Sequence, residues 1–208
     1  NRGWQAPQGD AGGQDRKNRA RAIAQLRDAG YEILNGVMTH VETGHPLSFE
    51  ILVATPGEER LALTYSRMVK RIGVIADVRN VDPSQYQERR SNYDFDTIFN
   101  SWFSSLSPGN EQSFYWGSAA ADMPGTRNYM GAKEPAIDAM IDAMLAAETR
   151  EEFVAAVRAM DRVLLSGAYM IPLFHQPEQW LALWQQVKVP EETSLYGYRS
   201  GTWWIEEN

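Results

Sequence analysis

The chain has 208 residues, 43% of them hydrophobic and 23% charged, so it is a globular protein, long enough to fold without disulfides or a metal. Lys plus Arg number 20 and Asp plus Glu 27; the net charge of −7 argues against sequence-independent nucleic-acid binding, which needs a basic surface. Cys is 0, which excludes thiolate catalysis, thiolate metal sites and disulfide scaffolds, and no run approaches the roughly 18 apolar residues that a membrane helix requires.

Residues 1–14 are polar and Gly-rich and read as a linker. The start, Asn1-Arg2-Gly3-Trp4, is neither an initiator Met nor a signal peptide and suggests a processed or cut chain. Asp15 is placed to cap a helix running to about Ala29, with Ile23 and Leu26 inside and Gly30 as its stop. Tyr31 to Ile33 is a short extended piece. Leu47, Phe49, Ile51 and Val53 alternate with Ser48 and Glu50, the period of a strand. Thr55-Pro56-Gly57-Glu58 is a capping box with Pro at the first helical position. The helix it opens stripes Leu61, Tyr65, Met68, Val69 and Ile72 and ends at Gly73. Val74, Ala76 and Val78 alternate as a second strand, Asp82-Pro83 starts a helix to about Arg90, and Asp94 to Phe103 is expected as a third strand. Strand–helix alternation of this length predicts an α/β fold with a central, mainly parallel sheet flanked by helices.

Residues 104–134 mix Ser, Pro, Gly, Asn and aromatics without a period, and so long a loop in a compact domain usually has a function. Two helices follow. One begins at Pro135 and stacks Ile137, Met140, Ile141, Met144 and Leu145. The other opens with the capping box Thr149 to Glu152 and stacks Phe153, Val157, Met160 and Leu164 to Gly167. Tyr169 to His175 and Leu181 to Val187 read as strands joined by a turn at Pro177, and the tail from Lys188 returns to Pro, Gly and aromatics.

Asp94-Phe95-Asp96 is a DxD, the spacing with which some glycosyltransferases hold a divalent metal on a nucleotide sugar. The favoured reading is a carboxylate pair at a strand start, solvated or bonded to loop amides. His40, His45 and His175 show no HxxxH or HExxH spacing, so no helix-borne zinc site is expected, and no GxSxG marks a nucleophile. The aromatic density of the long loop says more. Trp102, Phe103, Phe114, Tyr115, Trp116 and Tyr129 lie in or beside it, with Glu111, Asp122, Arg127 and Asn128 as polar groups. These residues either pack the loop onto the sheet or line a cleft. A cleft is favoured, because ligands bind beyond the carboxyl ends of parallel strands in mostly apolar sites with a few placed polar groups.

Asp28-Ala29-Gly30-Tyr31, the strand Leu47 to Ala54, Arg71-Ile72-Gly73-Val74, Val81-Asp82-Pro83 with Tyr86, and Tyr93 to Asp96 follow one another in an order that resembles a known family. Trp102, Arg127-Asn128-Tyr129, Pro135-Ala136-Ile137-Asp138 and the ending Gly201-Thr202-Trp203-Trp204 continue it. The resemblance, over residues 15–187, is to the C-terminal lobe of family 5 extracellular solute-binding proteins, the dipeptide and oligopeptide receptors of bacterial ABC importers. It implies a periplasmic-binding-protein-like second lobe that closes with a first lobe around a ligand. Residues 1–14 would then be the linker from the first lobe, 15–187 the ligand-binding lobe, and 188–208 a segment returning to the first lobe. The implied function is periplasmic binding without catalysis or cofactor, delivering a peptide, or else a nickel complex, opine or sugar, to an inner-membrane permease. The implied contacts are Trp102, Phe103, Glu111, Trp116, Asp122, Arg127, Asn128 and Tyr129. Asp122, with Glu111 second, is the candidate partner of a peptide's α-amino group.

Overall fold

The architecture is that of a computed structural model, which describes residues 16–102, 107–175, 178 and 180–206. The expected linker and the Asp15 cap therefore lie outside the described residues. Helix α1 (Arg16–Asp28) leads to Gly30, whose φ of +86° is the left-handed conformation a residue without Cβ adopts freely. Strands β1 (Tyr31–Leu34) and β2 (Val37–His40) then form an antiparallel hairpin. Asn35 and Gly36, at φ +51° and +84°, supply its tight turn.

The central sheet has three parallel strands with β3 in the middle. Strand β3 (Ser48–Val53) pairs with β4 (Ile75–Asn80) from Ser48 opposite Ile75 to Val53 opposite Asn80. On its other edge it pairs with β5 (Thr97–Ile98), which is far shorter than the expected strand from Asp94 to Phe103. Side chains explain the shortening. The Glu50 N–H donates to Asp96 Oδ2 at 2.8 Å, and Thr97 Oγ1 donates to the Glu50 carbonyl. The Asp94 N–H turns back to the Arg89 carbonyl, and Tyr93 sits at φ +55°.

Both faces of β3 are covered. Ile51 and Val53 pack with Ala62 of α2 (Pro56–Lys70) and Ala76 of β4, with Tyr65 and Val69 at their margin. Leu52 points the other way, against Val81 and Tyr86 of α3 (Pro83–Ser91). The Thr55–Glu58 capping box forms in full, and Asp82 caps α3. The inner stripe of α2 is Ala62, Tyr65 and Val69, whereas Leu61 and Met68, expected inside, are 43% and 40% exposed. Ser66 fixes that rotation by donating to the Ala76 carbonyl at 2.7 Å.

The long segment after β5, expected to be irregular, contains α4 (Glu111–Trp116) and a 3₁₀ turn at Ser118–Asp122. Helices α5 (Pro135–Leu145) and α6 (Arg150–Gly167) follow, as expected, and pack together through Ile137, Ile141 and Met160. Leu145 is instead half exposed, and α6 passes through Gly167 to a left-handed Ala168.

The chain divides into two compact units, residues 1–169 and 170–208. In the second, the expected strands Tyr169 to His175 and Leu181 to Val187 are not formed over their described residues, save for Val187. Strand β6 (Val187–Lys188) pairs instead with β7 (Trp204–Ile205). The turn at Pro177 lies outside the described residues.

Candidate functional site

The loop beyond β5 gathers four groups whose positions follow from the fold. Trp116 ends α4 and is 6% exposed, packed with Ala132, Ile137, Ile141 and Met160. The half-buried Trp102 stacks on it at 5.6 Å between centroids and 19° between planes. Tyr115 meets Trp102 edge-on at 5.0 Å. The exposed Arg127 lies over the Tyr115 ring at 5.7 Å, and its Nη1 donates to the Tyr115 hydroxyl at 3.1 Å. A cation held on an aromatic face keeps its charge and gains a fixed position. Trp116 is thus the floor on which Trp102 and Tyr115 stand. Phe103 lies outside the described residues.

The turn out of α4 is fixed by small residues and one carboxylate. A Cβ at Gly117 would lie 2.6 Å from the Ser113 carbonyl oxygen, so only glycine allows this close turn. Asp138 accepts from the N–H and hydroxyl of Ser118, which ties the start of α5 to the 3₁₀ turn. Asn128 is fully buried. Its amide donates to the carbonyls of Gly117 and Ala132 and accepts the Ala132 N–H at 2.9 Å. With both donors and its acceptor used, Asn128 holds the loop closed. Thr126 donates to the Ala120 carbonyl and meets the Tyr93 hydroxyl. Tyr129 packs edge-on to Tyr93, and Arg90 sits 5.6 Å from the Tyr129 ring and 5.9 Å from that of Tyr86. Tyr86 donates to the Phe99 carbonyl, and burial pushes its hydroxyl pKa up to about 12.

The two acidic candidates occupy different surroundings. Asp122 is exposed and paired with Lys133 at 2.7 Å. It lies just before Gly125, whose N–H donates to the Ser91 carbonyl at the end of α3. Glu111 opens the helix that carries Tyr115 and Trp116. The Gly109 N–H, at 2.9 Å from Oε1, holds its carboxyl below the usual range. Gln112 also donates to Oε1.

The DxD has no arrangement suited to a metal. Asp94 pairs with Arg89 at 2.9 Å, Arg89 also pairs with Glu50, and Asp96 accepts the Glu50 N–H. Both carboxylates close the start of β5, and the described residues include no group of three His, Asp or Glu placed to hold a metal ion. A glycosyltransferase built on this pair has no support here. His40 is likewise local: its Nδ1 accepts the N–H groups of Glu42 and Thr43. Tyr115 stands outside the eight residues expected as contacts, although its place beside Trp116 in an aromatic run was a signal for it.

Residues 2–124 match the family model described as bacterial extracellular solute-binding proteins, family 5 Middle. The peptidoglycan-binding protein YepA of Agrobacterium fabrum is 45% identical over 198 residues, 95% of this chain and 32% of that protein. A second protein of that organism, named "Probable peptide-binding protein YejA", is 42% identical over 190 residues, 91% of this chain and 31% of its own length. The chain thus spans about a third of the length of these relatives. Among solved structures, the oligopeptide-binding protein AppA of Bacillus subtilis, in complex with a nonapeptide, superposes with a TM-score of 0.70 at 16% identity, covering 90% of this chain and 37% of that one. The fold is therefore that of the periplasmic binding proteins, and the chain belongs to the family 5 extracellular solute-binding proteins.

Proposed function

We propose that this chain is the C-terminal lobe of a two-lobed receptor that binds a peptide without catalysis and delivers it to an ABC permease from the bacterial periplasm. The observation that carries the reading is the ring group Trp102, Tyr115 and Trp116 with Arg127, standing after β5 in a family 5 chain. Aromatic faces accept peptide side chains of many shapes, and one fixed cation suits a carboxylate. The lobe spans residues 15–187, preceded by a linker at 1–14. Residues 188–208 return to the first lobe, in keeping with the exposure of Leu195, Tyr196 and Trp204.

Glu111 is the stronger partner for a peptide's α-amino group, because it stands on the helix that carries Tyr115 and Trp116, whereas Asp122 is already paired with Lys133. In the full-length parent, Glu111→Gln is expected to weaken a peptide with a free amino terminus about 10- to 100-fold more than its N-acetylated form, the value of one charge-assisted hydrogen bond. Asp122→Ala is expected to treat the two peptides alike. Equal losses on Glu111→Gln would remove the assignment. Native mass spectrometry of the parent purified from its host tests the reading itself, with a bound peptide expected. The relative named for peptidoglycan binding favours one second reading, a peptide-bearing cell-wall fragment, which the same spectrum separates by its sugar mass. A nickel complex, an opine or a plain oligosaccharide in the cleft would overturn both.

A further inference from the structure

Helix α1 carries Arg16, Lys17, Arg19, Arg21 and Arg27 against the single acid Asp28, in a chain whose net charge is −7. Intrinsic helix stability does not account for that pattern. Its first turn holds no acid, yet three of the five cations lie in its first four residues, where the positive end of the helix dipole disfavours them. Lys17 and Arg21 are like charges four residues apart, a pair that costs a few tenths of a kcal/mol. None of the residues of α1 is buried, and Arg16, Lys17, Arg21 and Arg27 are all exposed. Arg16, Arg21 and Arg27 form no ion pair among the described residues. Arg19 lies half-buried on the flank, with its Nε lacking a hydrogen-bond partner among the described residues. Places where a sequence breaks local rules without a local gain are where function is expected.

At 100° per residue, Asn18, Arg19, Ala22, Ile23 and Leu26 fall on the half-buried side of α1. The solvent side carries Arg16, Lys17, Arg21 and Arg27, interleaved with Ala20, Ala24 and Gln25. With a rise of about 1.5 Å per residue, these cations form a strip about 16 Å long. We propose that this strip docks the receptor onto an acidic protein surface, that of the permease to which it delivers its ligand; the identity of that partner rests on the proposed function. Arginine forks match carboxylates two bonds at a time, which suits a protein surface bearing Asp and Glu. A lipid surface is the poorer fit. The strip has only alanines and one glutamine between its cations, whereas an interfacial helix buries large apolar side chains. The acidic remainder of the chain is also repelled by anionic headgroups.

The test uses the full-length parent in its host, with a photo-crosslinking residue in place of Ala20 or of Ala24 and a control at the exposed Leu63 of α2. Crosslinks from α1, but not from the control, to a membrane-embedded permease subunit through a segment rich in Asp or Glu are expected. The combined Arg16→Glu, Arg21→Glu and Arg27→Glu variant should lower their yield at least tenfold, and Lys at the same three positions should keep most of it. Circular dichroism and the host peptide bound by the purified variant should be unchanged, which separates lost docking from lost folding or ligand binding. Crosslinks equal to the control, or insensitive to charge reversal, overturn the docking strip and leave the receptor reading standing. A charge-sensitive crosslink to a soluble acidic protein keeps the strip and removes the permease from the receptor reading. Charge-sensitive sedimentation of the parent with phosphatidylglycerol vesicles at physiological salt, without a protein crosslink, overturns the proposal in favour of a membrane.

Discussion

Residues 16–169 and 170–206 are both rich in large apolar side chains and treat them in opposite ways. In the first unit Leu52, Val53 and Ile137 are fully buried. In the second, Trp180, Trp184 and Leu195 are 90%, 81% and 87% exposed. The difference lies in partners. The first unit has a strand covered on both faces and a helix pair with matching stripes. The second has a two-residue ladder, the Lys188–Glu206 ion pair and the tight turn Ser194–Gly197. Burial is therefore a property of paired faces rather than of apolar content.

The sharpest test of that contrast is Leu52→Ala. Leu52 lies near the end of β3, the middle strand of the sheet, and packs on Val81 and Tyr86. Truncation removes its transfer free energy and leaves a cavity, so urea unfolding followed at unit 1 should show a loss of about 2–5 kcal/mol. A loss below about 1 kcal/mol would mean that this core is loosely packed and that the two units differ less than their exposures suggest.

Asn128→Ala probes the polar side of the same unit. It orphans the Ala132 N–H and carbonyl, two backbone groups beside a fully buried side chain, and takes one of two donors from the Gly117 carbonyl, which keeps the Ala120 N–H. The expected cost is about 2–4 kcal/mol, with faster amide exchange at Ala132. Unchanged exchange at that amide would show that the loop does not depend on the latch.

Elements whose signal is local are legible in the amino-acid sequence itself. Thr55 and Thr149 announce their helices because a capping box is written within four residues, and both boxes form. The hairpin turn Asn35-Gly36 is written just as locally and is open to the same reading. Strand β5 is not, because the side chains of Asp96 and Thr97 take the Glu50 backbone groups and alternation does not encode that choice. Tyr169 to His175 is a short apolar run that reads as a strand, yet a strand needs a neighbour, and none forms beside it among the described residues. At the candidate site, aromatic density locates the ring group around Trp102. Polar residues between rings are ambiguous: an Asn reads the same whether it meets a ligand or, as Asn128 does, two loop carbonyls.

Tyr86 gives a smaller effect with a pH signature. Its folded-state pKa, about 12, lies above the value near 10 of an unfolded tyrosine. Its contribution is complete below pH 10 and is lost as pH rises toward 12. Tyr86→Phe should cost about 1 kcal/mol at neutral pH, because the Phe99 carbonyl loses its donor. It should also flatten the decline of stability above about pH 10, read by urea midpoints. An unaltered alkaline limb would assign that decline to other groups.

The smallest expected effect sits in the second unit. Trp184 is a large ring, and in a packed core its truncation would cost about 3–5 kcal/mol. Here the ring is 81% exposed, so Trp184→Ala removes little buried area. The expected change in stability of this chain is within about 0.5 kcal/mol, the range of ordinary surface substitutions. In the full-length parent the same substitution should cost more, because the receptor reading provides a first lobe for residues beyond 187 to return to and a surface for neighbouring rings to meet. Paired urea titrations of the two proteins, each with and without the substitution, measure that difference. Equal small changes in both would mean that Trp184 remains in water in the parent too, and that its exposure here is no sign of a missing partner. A large loss in this chain alone would mean that residues 170–206 fold as tightly as the sheet, and the contrast between the two regions would be lost.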